Sequence, residues 1–147
     1  MDDILILGTV GRERVHSFGR TSEIVFGGTG FYAAEAMLKI PAANPLLVSV
    51  LGNDLPADVL IEQFSRAVDT RGLQWNDELP SFFWEAEYAH SFEESNTLVL
   101  ENRLIHQFRP DWAGLRKGFP DLRFCYLVRP LRRGDEIQLL KAKRLHF

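Results

Sequence analysis

Apolar and polar positions alternate along this chain with two different periods. "DILILG" (3–8) and "PLLVSVLG" (45–52) are short, continuous apolar runs ending in glycine, the pattern of strands buried on both faces of a parallel sheet. "LRFCYLV" (122–128) is a third run of that kind. Between the first two, Phe31, Ala34, Met37 and Leu38 recur at helical spacing, with Glu35 and Lys39 four apart on the opposite side, which predicts a helix over 29–40 stopped by Pro41. Asp54 and Pro56 read as the start of a second helix, 55–67, with Leu60, Phe64 and Ala67 on one stripe.

Other segments follow a period of two. "RVHSF" and "SEIVF" are short and half polar, as in a hairpin at a sheet edge. In "SFFWEAEYA" (81–89), Phe82, Trp84, Ala86 and Tyr88 fall on one face and Phe83, Glu85 and Glu87 on the other. "NTLVLENRLI" (96–105) is a second extended stretch of mixed polarity, suited to a small sheet with one wet face. "DWAGLRKG" reads as a short helix and "DEIQLLKAKRL" (135–145) as a terminal one. Strand, helix, strand, helix, strand, helix predicts an α/β fold in which 3–8, 46–51 and 122–128 lie parallel, flanked by helices. Segments 12–26, 81–89 and 96–105 are expected to form a separate flap.

Composition narrows the classes. The 147 residues suit one domain, and 46% apolar with 25% charged residues describe a globular chain. A net charge of −3 gives no basic footprint for nucleic acid. No apolar run approaches the roughly 20 residues of a membrane span, and "MDDILILG" lacks the basic start of a signal peptide. The single cysteine, Cys125, excludes an internal disulfide. These features predict a cytoplasmic protein. The four histidines lack ligand spacing, so no metal site is expected.

Candidate chemistry gathers in "VFGGTGFYAAEAML" (25–38), a glycine-rich turn opening a helix. Gly28-Thr29-Gly30-Phe31-Tyr32-Ala33 matches the G-x-G-x-x-G/A form of a dinucleotide fingerprint, with Asp54 near the place of a ribose-binding acid. That fingerprint needs a buried central strand just before it, whereas "TSEIVF" carries Thr21, Ser22 and Glu23. A phosphate-binding P-loop is excluded because no G-K-[ST] follows.

The order of the pieces resembles the N-terminal half of the PfkB (ribokinase-like) carbohydrate kinases. The resemblance is carried by "ILILGTV", "SFG", "FGGTGFYAA", "VSVLGNDLP", "RGL", "FFWEAEY", "NTL" and "FRP", which cover most of residues 4–110. It implies a ribokinase-like α/β fold, a partial parallel sheet with a small β-sheet lid over about 12–26 and 81–105, all in one truncated domain spanning 1–147. In that family a di-glycine turn lies against the sugar and hinges the lid. Glycine suits both tasks, since it allows positive φ and removes the Cβ that would block a close ligand.

Carried over by position, Gly27 and Gly28 match the di-glycine, and Tyr32 stands where many members have a sugar-binding asparagine. Glu13 falls where the family has an aspartate that grips sugar hydroxyls. These four are the substrate-binding candidates. "LGND" (51–54) matches a segment read as structural, Asn102 in "ENR" stands one place from an expected asparagine, and Arg129-Pro130 replaces an Asn-Ile-Asp-Pro-like turn. The resemblance also implies ATP and Mg²⁺, but such kinases run to about twice this length, with a Gly-Ala-Gly-Asp-like catalytic motif in the second half. That motif does not occur here. "RRGDE" (132–136) holds only a Gly-Asp pair, and Asp135 reads as a helix cap, so no catalytic residue is assigned. The expected function is the sugar-binding half of an ATP-dependent carbohydrate kinase, inactive alone. The alternatives are a non-catalytic sugar-binding remnant or interaction module and, as a lesser option, a dinucleotide-binding domain. The expected partners are a small sugar and either a second copy through the lid or a missing C-terminal half.

Overall fold

A computed structural model describes residues 2–64, 67–120, 122 and 124–127. The expected terminal helix 135–145, Asp135 and Arg129-Pro130 lie outside the described residues. Two sheets are present. The main one has the order β6-β5-β1-β9, built from β1 (Asp2–Leu7), β5 (Ala43–Leu51), β6 (Asp69–Trp75) and β9 (Phe124–Leu127), every neighbouring pair parallel.

The continuous apolar strands are buried on both sides because helices cover both faces. On one side Leu5, Leu7, Leu46, Val48 and Val50 pack with Leu104, Phe108, Trp112, Leu115 and Phe119. These come from α3 (Arg103–Gln107), α4 (Trp112–Gly118) and the turns around them. On the other side Ile6, Leu47 and Leu51 meet Phe31 and Ala34 of α1 (Thr29–Met37) and Leu60 and Phe64 of the α2 region (α2, Ala57–Gln63). Alternate residues of a strand thus serve two cores, which is why these runs show no polar–apolar alternation, with Ser49 the one buried polar side chain among their core positions.

The second sheet has the order β3-β2-β7-β8, with β4 also paired to β2. It comprises β2 (Gly11–Ser17), β3 (Arg20–Thr21), β4 (Val25–Gly27), β7 (Phe82–Tyr88) and β8 (Asn96–Glu101). These are the segments expected to form the flap, and the α/β class with a parallel sheet flanked by helices is the observed one. The hairpin tip places both Phe18 (φ 48°) and Gly19 (φ 75°) in the left-handed region, as a two-residue primed turn requires.

Four expectations need correction. The first is β6, a fourth parallel strand that the sequence pattern does not announce. Next, "RVHS" is the end of β2, which makes the expected hairpin with the edge strand β3 but is itself interior to the lid sheet and parallel to β7. Residues 103–105, expected as extended chain, begin α3 instead. Finally, Asp54 does not cap α2, whose N-cap is Pro56; it is drawn to the lid by stronger partners described below.

Candidate functional site

The root of the lid is held by two neighbouring residues of β2 whose side chains leave opposite faces of the strand. Glu13 reaches α1. Its Oε1 accepts a hydrogen bond from the Gly28 amide at 2.7 Å and its Oε2 accepts one from the Tyr32 hydroxyl at 2.8 Å. Arg12 pairs with Asp54, in the loop after β5. Asp54 Oδ1 also accepts from the Ser81 amide at 2.7 Å, and the Gly52 amide donates to Ser81 Oγ at 2.7 Å. Partial burial alone would raise the Asp54 carboxyl, but the hydrogen bonds from Ser81 and the Arg12 guanidinium outweigh it and hold it below its ordinary value.

The structure brings Glu13, Gly27, Gly28 and Tyr32 together. The di-glycine is required by close approach: a Cβ on Gly27 would lie 2.2 Å from the Glu13 carboxyl carbon, and one on Gly28 would lie 2.6 Å from the Thr9 carbonyl oxygen. Gly28 also has φ +97°, open to glycine and strained for any other residue. Tyr32 is half exposed. Partial burial first, then the hydrogen bond and charge of Glu13, push its phenol up to about 12, so it stays a donor to Glu13 at neutral pH. Glu13 accepts two hydrogen bonds where a carboxylate offers about four lone-pair sites, leaving acceptor capacity for hydroxyl donors.

Thr9 and Thr29, which the sequence does not single out, complete the turn. Their hydroxyls lie 3.0 Å apart; the Thr29 amide donates to Thr9 Oγ1 and the Thr9 amide to Thr29 Oγ1. The Gly30 amide donates to the Thr9 carbonyl at 2.8 Å and the Phe31 amide to the same oxygen at 3.3 Å. Every amide from Gly28 to Phe31 therefore has a partner within the protein. A pyrophosphate needs such amides free, and β4, the strand before this turn, belongs to the lid rather than to the parallel sheet. Both facts argue against the dinucleotide option.

The 27–31 turn does not fit the phosphates of ATP. The glycine turn has no amide left for a phosphate, and among the described residues no group of three or more His, Cys, Asp or Glu side chains could hold a metal ion. Asn102 precedes α3 without a side-chain cap, between the paired Glu101 and Arg103. Cys125 is pushed up to about 12 by burial and is no nucleophile at neutral pH. Among the described residues no helix is long and apolar enough to cross a membrane.

Comparison with solved structures defines the fold class. The chain is similar to ribokinase from Giardia lamblia, with a TM-score of 0.70, 16% identity, and coverage of 96% of this chain and 45% of that one. It is likewise similar to 2-dehydro-3-deoxygluconokinase from Thermotoga maritima (TM-score 0.66, 16% identity, 97% of this chain and 46% of that one). A ribokinase from Cryptococcus neoformans, solved in complex with ADP, matches with a TM-score of 0.65 and 15% identity over 97% of this chain and 45% of that one. The fold is ribokinase-like, shared with sugar kinases of the PfkB and ribokinase type, and the chain spans less than half the length of these three neighbours. No family model and no curated protein matches the sequence.

Proposed function

We propose that this chain is the sugar-binding half of a carbohydrate kinase, taking a monosaccharide between the lid and the Gly27-Gly28 turn. The observation that carries the reading is the Glu13 carboxylate, held by Gly28 and Tyr32 at the junction of lid and α1 with acceptor capacity to spare. A carboxylate fixed in this way accepts hydrogen bonds from sugar hydroxyls, and Tyr32, protonated, is both donor and acceptor. The lid roots, pinned through Arg12–Asp54 and Ser81, would keep Glu13 in place as a ligand enters.

Phosphoryl transfer from ATP needs aligned anion donors, metal and a base together. The described residues supply the acceptor side of that reaction only. We therefore expect the chain alone, in the cytoplasm, to bind sugar without phosphorylating it, and to act as an enzyme with a complementary half. Self-association through the lid is the other proposed partnership.

Titration calorimetry over a panel of monosaccharides tests the reading. Glu13→Gln should weaken binding by about 1–2 kcal/mol through loss of a charge-assisted acceptor, and Gly28→Val should abolish it. Binding unchanged in both variants removes the site. Turnover with ATP and Mg²⁺ by the pure chain removes the division of labour.

A further inference from the structure

Resting on that reading, we propose that Trp84 is the stacking wall of the sugar site and that it selects a single ring presented by its C–H face. β2 and β7 are parallel, and Glu13 is the direct partner of Trp84. Paired residues on neighbouring strands share a face, about 4.8 Å apart, so the indole and the carboxylate stand side by side on the lid face that meets α1.

The orientation of the indole is also fixed. Trp84 Nε1 donates to Thr97 Oγ1 at 3.1 Å. Thr97 is the partner of Ala86, two residues beyond Trp84 on the same face, so the ring runs diagonally along the sheet instead of standing upright. Ala86 is fully buried, and its single methyl leaves the room the indole needs. Trp84 itself is partly exposed. With its one polar atom bound to Thr97, the remaining surface of the indole is apolar and adjoins a strand partner that accepts hydrogen bonds from hydroxyls. That combination fits a saturated ring with C–H groups on one side and hydroxyls at its rim. A nucleobase would stack too and its N–H groups would also donate to Glu13, so the nucleoside arm of the test below separates the two ligands. The strand spacing places Glu13 within one ring of the indole, matching a monosaccharide rather than a longer saccharide. Thr97 is a positioning residue, acting through the indole.

The test uses the full chain and the tightest monosaccharide of the panel. On ¹H–¹⁵N spectra, the indole resonance assigned to Trp84 by its loss in Trp84→Phe should shift with the calorimetric dissociation constant, and the sugar's C–H protons should move upfield. Trp84→Ala should weaken binding about tenfold or more and Trp84→Phe by much less. Thr97→Val should weaken it less than Trp84→Ala. A static Trp84 resonance, or Trp84→Ala binding like wild type while Glu13→Gln is weakened, overturns the stacking wall and leaves the sugar reading standing. No binding of any sugar by the wild-type chain overturns both. A nucleoside that binds more tightly than its free sugar overturns the single-ring assignment. The spectral shift is read on the wild-type chain, so the proposal stays testable if Trp84→Ala fails to fold.

Discussion

The two sheets of this molecule are stabilised in opposite ways. In the main sheet Ile6, Leu7, Leu47, Val48 and Leu51 are all fully buried, and burial of apolar area sets both pairing and register. In the lid, Leu98 of β8 is 53% exposed, and every other residue of that strand but Glu101 is exposed as well. The lid depends instead on polar anchors at its root: Glu13 to α1, Asp54 to Arg12 and Ser81. A sheet held at one end by hydrogen bonds leaves its face free for a ligand, and that freedom costs cohesion. The core has the reverse character.

The largest contrast should come from matched truncations. Phe64→Ala opens a cavity in the α1–α2 core and should cost about 3–5 kcal/mol in urea unfolding. Leu98→Ala, on the exposed lid strand, should stay within about 0.5 kcal/mol. Equal losses would erase the distinction between the sheets.

Next in size is the anchor itself. Asp54→Ala leaves the Ser81 amide without its acceptor and Arg12 without its partner, and should cost about 1–3 kcal/mol. Hydrogen exchange should localise the effect, speeding β2 and β7 while β1 and β5 keep their protection. Uniform acceleration would mean that the lid and core unfold as one unit.

Acid should weaken the same anchor. Because the folded Asp54 carboxyl lies below its ordinary 3.8, its contribution is full above that pH and is lost as pH falls through the folded value. The stability gap between wild type and Asp54→Ala should therefore narrow below pH 3.8 and stay constant between pH 5 and 7. A gap independent of pH down to 2.5 would assign the anchoring to shape rather than charge.

The smallest effect sharpens the picture of the core. Ser49 is fully buried in β5 and its hydroxyl has no partner. Ser49→Ala removes an unsatisfied group and should be neutral or stabilising by up to about 1 kcal/mol, measured by thermal melting. A clear loss would reveal a partner for that hydroxyl.

What the sequence disclosed follows the same division. The buried strands were legible because burial on both sides forces continuous apolar runs, and the lid strands because their alternation is plain. β6 was hidden by its edge position: in "DTRGLQW" only Gly72 and Leu73 are buried, while Arg71 pairs with Asp69 and lies 4.4 Å above the Phe119 ring. α3 has five residues, too short for a helical period to show. At the site, the di-glycine was visible as a motif, and Glu13 and Tyr32 stood out only through the positions they share with the resembled family. Asp54 was misread as a cap because Arg12 and Ser81 stand 42 and 27 residues away. Thr9 and Thr29 gave no signal, since nothing in either residue marks a contact across 20 positions.

The adjacency of Arg12 and Glu13 has a consequence for how this chain can vary. Deleting one residue ahead of them would turn β2 over, sending the Glu13 carboxylate toward Asp54 and the guanidinium of Arg14, the next residue, toward the Gly28 amide. Like charge would then meet like at one root and donor would meet donor at the other. A single-residue deletion between positions 8 and 13 thus meets an electrostatic penalty before any ligand is involved, whereas the 89–95 connection carries neither anchor and touches the sheet through Phe92 against Phe18 and Tyr88. Natural single-residue deletions should be rarer in the first segment than in the second.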